Sequence, residues 1–245
     1  MVTHLSPGPG STPPAQRGSV NSFGAGLVVL GAGRGSAELI DLLDDLPPSA
    51  RPGSIVVLDD RWSSGGALPA VCGVAVVGPL DRVHDHVARG FRVLSGIAGS
   101  TAVQHDGQRR LGTRADLPER LGLTSAMFAT FVHPQASVSR RASVGAGVIA
   151  YPGAQVHVDA CVGDQVLLYP NSVVHHDVSI GAGAILCAGV MLAGHVRIGR
   201  GSYLGVGTAV RERVAVGAGC LVGMGSVVVT DVADGAVVYG VPAHG

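Results

Sequence analysis

The chain has 245 residues, 17 Lys+Arg against 17 Asp+Glu and so a formal net charge of zero, which excludes the global basic field that gathers nucleic acid or an anionic membrane. No run of about 18 apolar residues exists to span a bilayer. Thirty-eight glycines with only 4% aromatic residues point to many short, tightly packed strands and frequent turns rather than a core of large helical side chains.

The N-terminal stretch "MVTHLSPGPGSTPPAQRGSVNSFG" lacks a basic n-region and an apolar run, so it is no secretory signal. Its Pro, Ser and Gly content reads as a disordered leader over residues 1–24. From residue 25 the texture changes. "GLVVLGAGRGSAELIDLLDDL" reads as strand, glycine turn and amphipathic helix; "SIVVLDDRW" as a second strand ending on two aspartates. "GVAVVGPLDRVHDHVARG" reads as a short strand and a helix, "FRVLSGIAGS" as a buried strand, and "DLPERLGL" as a helix end. The alternation predicts a small Rossmann-like α/β domain over residues 25–125, too short for a second βαβ half. Cys72, Cys161, Cys187 and Cys220 form no close pair, so they read as reduced core fillers in a cytoplasmic protein.

Over residues 126–245 the period becomes six. Stepping by six from Val132 to Val228 meets only Val, Ala, Leu and Ile, and four residues after each step stands Ala, Val, Ser, Thr or Cys. A helix has no such period. A repeat this regular predicts a solenoid, three hexads per turn, with the aliphatic residues inside and the small ones at the corners. Position i then lies beneath position i+18. His176 falls beneath Gly194, Asp177 beneath His195 and His157 beneath His175, on coils about 4.8 Å apart.

Together, the unbroken hexads, "GAGRGS", the "LDD" strand end, "FVHP", the "HHD" triplet and the terminal "YGVPAHG" resemble one family, the hexapeptide-repeat sugar acyltransferases. It includes the bacillosamine and perosamine N-acetyltransferases and sialic acid O-acetyltransferase, and the likeness covers nearly everything after residue 25. The resemblance implies a left-handed parallel β-helix, whereas the general rule for parallel crossovers would favour the right hand. It implies a homotrimer with acetyl-CoA in the groove between neighbouring prisms, and a nucleotide-sugar acceptor on the α/β domain. The family's His–acid pair falls on His176 and Asp177. A histidine so placed can deprotonate an attacking amine or hydroxyl, an adjacent carboxylate favours its charged form, and a stacked glycine amide can stabilise the oxyanion. The alternative for these residues is a pair of solvated turn positions.

By register the resemblance places cofactor contacts at Ile185, Gly194, Val206 and Met224. Many relatives have a histidine in place of Ile185 and often an asparagine in place of Tyr169. Acceptor contacts fall on Gly33, Arg34, Gly35 and Ser36, where relatives commonly have Gly-His-Gly over the last three, and on Asp59 and Asp60. The glycine turn can equally be a plain strand-to-helix connection; its functional reading is a helix N-terminus facing a diphosphate. His175 and His195 read as lining the site and His133 as structural. Zinc, as in the γ-class carbonic anhydrases, is not expected: the close His-x4-His pair is absent and Gly194 stands over His176.

The leading expectation is an acetyl-CoA-dependent acetyltransferase acting on the amino, or less readily the hydroxyl, group of a nucleotide-linked sugar. Attack is direct, since no Cys or Ser beside the histidines carries a nucleophile signature. Two other classes stand against it: a noncatalytic β-helix scaffold, motivated by Ile185 and Tyr169, and an NAD-linked oxidoreductase, disfavoured by the incomplete glycine fingerprint.

Overall fold

The computed structural model describes residues 20–62, 68–97 and 113–245. Strand β1 (Leu27–Leu30) is buried along its whole length, as a central strand covered on both faces must be. Parallel to it run β2 (Ile55–Leu58), β3 (Val76–Gly78) and β4 (Arg92–Ser95), in the order β3-β2-β1-β4. Helix α1 (Arg34–Leu43) buries Ser36, Leu39, Ile40 and Leu43, the one-face spacing of an amphipathic helix. Helix α2 (Val83–Val87) precedes β4, and α3 (Thr113–Arg120) precedes the repeats.

From Phe131–Val132 onward the chain is a parallel β-solenoid of the left-handed type, built of two-residue strands in three sheets. Register pairs residues eighteen apart, as Val173 with Met191 and Val174 with Leu192. The aliphatic position of each hexad is the second residue of its strand, and every one from Val144 to Val228 is buried. Each such Val, Leu or Ile contributes about 1.5–3 kcal/mol by leaving water. The small corner residues, Ala142 through Ser226, are buried as well. The last coil shortens: Leu221 pairs with Val237, sixteen residues on.

Each hexad turns through one residue in the left-handed region, stepping by six from Gly147 to Gly225. Glycine occupies most of these positions, because a side chain there costs about 1 kcal/mol or more. Along one corner, however, the stacked residues are Asp159, Asp177, His195 and Arg213, with φ of 58°, 58°, 62° and 66°. Among the described residues, this is the corner whose turns all carry side chains.

Arg114 ties the α/β part to the solenoid. Its guanidinium is fully buried and donates to the carbonyls of Ser95 and Ile97 on one side and of Gln165 (2.6 Å) and Gly147 (3.0 Å) on the other. Burial lowers its pKa to about 10, so it remains charged at neutral pH. His133 is buried and bonds Asp45 at 2.8 Å through Nε2, while its Nδ1 accepts from the Gln135 amide, which makes it the structural histidine expected. Two expectations need revision. Val20–Gly24 is not a loose leader: Asn21 exchanges hydrogen bonds with Val132 and Phe23 is buried, while residues 1–19 lie outside the described part. Nor are all four cysteines core fillers; Cys187 and Cys220 are buried, but Cys72 and Cys161 are exposed. No described helix is long and apolar enough to cross a membrane.

Candidate active site

The corner with four side-chain-bearing turns holds the histidines. The His195 amide donates to the His176 carbonyl at 3.1 Å, fixing the two coils in the register expected. His176 Nδ1 lies 2.8 Å from Asp177 Oδ2, and the same oxygen lies 3.9 Å from His195 Nδ1. If the Nδ1 proton of His176 points at the carboxylate, Nε2 is left with its lone pair free, the form a general base requires. The His176 ring meets His195 edge-on at 5.1 Å and His175 at 4.6 Å, and His175 in turn faces His157 at 4.8 Å.

Gly194 is a glycine for want of room. A Cβ there would sit 2.6 Å from Cε1 and 2.8 Å from Nε2 of His176. His176, Gly194 and His195 line an open cleft of about 330 Å³ with His175, Ala193, Glu212 and Arg213. His175 Nδ1 is buried with no hydrogen-bond partner, and burial, then the neighbouring His176 and His157, lower the pKa of its imidazole. A neutral His175 adds no repulsion to a charge forming on His176. Asp177, by contrast, is exposed at the cleft's edge.

The residues carried over for the cofactor do not all meet within one chain. Gly194 lies against His176, and Ile185 is buried on the face that the α/β part covers. Val206 and Met224 stand one coil apart at a different corner, 52% and 79% exposed. On the α/β part, Gly33 caps α1 without a side chain, and Arg34 is exposed beside it. Ser36 is buried and its hydroxyl donates to the Gly31 carbonyl. Asp59 accepts from the Ala32 amide at 2.6 Å and from Arg61, whose hydrogen bond outweighs burial and holds the carboxyl down at about 2. Asp60 accepts from the Leu80 amide at 3.1 Å. Ser36 and Asp59 thus shape the glycine turn, while Arg34 and Gly35 lie beside its opening. Sequence reasoning missed Arg114 and the claim of His195 on Asp177; the second was within reach, since register alone puts His195 over Asp177.

Tyr169 stacks on Tyr151 at 4.7 Å. Burial, then Glu38, raises the pKa of Tyr169. An aromatic pair therefore packs under α1 where relatives often have asparagine.

A family profile described as "Bacterial transferase hexapeptide (six repeats)" matches residues 159–194, the segment that carries His176, Asp177 and Gly194. No curated protein matches the chain significantly. Among solved structures, the acetyltransferase domain of PglB from Neisseria gonorrhoeae FA1090 aligns with TM-score 0.71 at 28% identity, covering 89% of this chain and 98% of that one. That domain is also known in complex with acetyl coenzyme A. PerB from Caulobacter crescentus, in complex with CoA and GDP-perosamine, aligns with TM-score 0.72 at 29% identity over 89% of this chain and 96% of its own. A variant of the Caulobacter perosamine N-acetyltransferase with a histidine replaced by asparagine matches similarly, again with CoA and GDP-perosamine. Repeat, fold and sequence likeness over most of its length agree on an acyltransferase similar to the bacterial hexapeptide-repeat sugar acetyltransferases.

Proposed function

We propose that this acyltransferase moves an acetyl group from acetyl-CoA to the amino group, or less readily a hydroxyl, of a nucleotide-linked sugar, with His176 as general base. The observation that carries this reading is the 2.8 Å contact of His176 Nδ1 with Asp177, with the ring held against Gly194. It lies in a fold shared with enzymes solved with CoA and a nucleotide sugar. His176 Nε2 takes a proton as the acceptor nitrogen attacks the thioester carbonyl. The Gly194 backbone N–H faces the developing oxyanion. Collapse of the tetrahedral intermediate breaks the carbon–sulfur bond, and the thiolate takes the proton from His176. Asp177 holds the imidazole tautomer and offsets the transient imidazolium charge.

In the same reading, residues 25–125 form a Rossmann-like acceptor domain, with Arg34, Gly35 and the α1 N-terminus facing the diphosphate and Asp60 near the nucleoside. Residues 126–245 form the left-handed β-helix. Gly194, Val206 and Met224 contact the donor across a cytoplasmic homotrimer, and Ile185, buried within its own chain, stands behind that contact. The separation of Val206 and Met224 from the His176 corner supports a groove shared between two copies. The test is acetyl transfer to a panel of nucleotide-linked amino sugars, read as acetylated product. His176→Ala should lower turnover by about 10²- to 10⁴-fold with the fold intact, and Asp177→Asn by less. Full activity in both variants would overturn the assignment of His176 as the base, and no transfer to any acceptor by wild type would return the chain to the scaffold reading.

A further inference from the structure

The carboxylate that serves His176 is shared. Asp177 Oδ2 lies 2.8 Å from His176 Nδ1 and 3.9 Å from His195 Nδ1, and each of the three residues offers a ligand atom within 4.8 Å of those of the other two. Ligands bound to one zinc ion at about 2.0–2.1 Å in a tetrahedron stand about 3.3 Å apart, a spacing between the two measured here. The side chains are between 41% and 46% exposed, so the small rotations needed to converge meet little obstruction. Their backbones are not free to wander: each of Asp177 and His195 occupies a left-handed turn position, and the coils are tied by the bond from the His195 amide to the His176 carbonyl. The fourth position opens to the cleft, where water can complete the set. Glu212 and Arg213 line the same cleft and offset each other in charge.

We propose that His176, Asp177 and His195 form a site for a divalent transition-metal cation of the zinc class, and that occupancy switches transfer off. The binding half stands on geometry alone; the inhibitory half rests on His176 being the base. A metal at Nδ1 needs that lone pair, so the ring proton of neutral His176 must reside on Nε2, reached through solvent with no net proton released. The lone pair that would take the acceptor's proton is then gone, and the charge of Asp177 is committed to the cation.

The full chain is titrated with Co²⁺ in a non-chelating buffer, and the visible absorption is followed as Zn²⁺ displaces it. Wild type is expected to give bands of tetrahedral intensity, and His195→Ala to weaken binding on the order of tenfold or more. Identical titrations of the two proteins would overturn the site and assign the metal elsewhere, for instance to the exposed thiols of Cys72 and Cys161. Transfer is read as acetylated acceptor, because free CoA thiol binds zinc. Wild type should lose about tenfold or more in rate with stoichiometric Zn²⁺ and regain it with EDTA, while His195→Ala should stay within about twofold of its own zinc-free rate. Metal bound at the triplet with an undiminished wild-type rate would overturn the switch. If no acceptor is ever acetylated, the proposed function fails, and the Co²⁺ titration still decides the site.

Discussion

Asp177, His195 and Arg213 pay a conformational cost that glycine would not, in a solenoid that elsewhere places glycine at most such turns. Side chains retained at strained positions concentrate where geometry is used, and here they surround His176. Gly194 is the converse case, a position where a side chain is excluded by contact. Gly194→Ala puts a methyl group 2.6 Å from the His176 ring, which is 41% exposed and can escape only outward into solvent. The variant should therefore melt within a few degrees of wild type and yet lose turnover toward the level of His176→Ala. Circular dichroism and product formation measured together check this, and near-normal turnover would mean that the ring contact does not position the base. The His176–Asp177 pair and its register beneath Gly194 were legible in the sequence because hexads count without slip. The left-handed turns were not read, although they recur every six residues and glycine stands at most of them; the aliphatic period masked the second pattern.

At the scale of elements, two contacts hold the α/β part in shape and on the solenoid. Asp59 clamps the glycine turn through the Ala32 amide and is itself held by Arg61. Its folded value of about 2 lies below the ordinary 3.8, so its contribution is fully present above about pH 4 and is lost as pH falls toward 2. The stability difference between wild type and Asp59→Asn, read as urea midpoints, should therefore hold from pH 6 to about pH 4 and shrink from there to pH 2.5. A difference independent of pH would deny the ionised carboxylate its role. Arg114 presents the larger liability. Arg114→Ala strands the carbonyls of Ser95, Gly147 and Gln165 away from water, a loss of about 3 kcal/mol or more. Limited proteolysis should then cut between the two parts before the solenoid itself is cleaved. Local pattern gave the strands and helices in their right order, because β1 and α1 declare themselves by continuous and one-faced burial. It could not single out Arg114, whose partners are backbone carbonyls as far as 51 residues away and carry no side-chain signature.

Across the whole molecule, apolar surface is left over. Met191, Val206 and Met224 are 56%, 52% and 79% exposed, on one sheet and the corner that precedes it in each coil, with the His176 corner at that sheet's other edge. Methionine and valine bared on a regular flat face suit burial against another copy. If the cleft beside His176 is completed by the Val206–Met224 corner of a neighbour, each site draws its base from one chain and its second wall from the next. Met224→Asp should then weaken acetyl-CoA binding without disturbing His176, and His176→Ala should abolish transfer without disturbing the wall. Neither variant alone is active at low acetyl-CoA. Unfolded together and refolded as a mixture, they should recover transfer, because some sites pair an intact His176 from one variant with an intact Met224 from the other. Activity that rises only in the mixture, with a sedimentation mass of three chains, is the outcome the shared groove requires. A mixture no more active than its components, or an active monomer, would place the whole site on one chain and leave the apolar face without a role in catalysis.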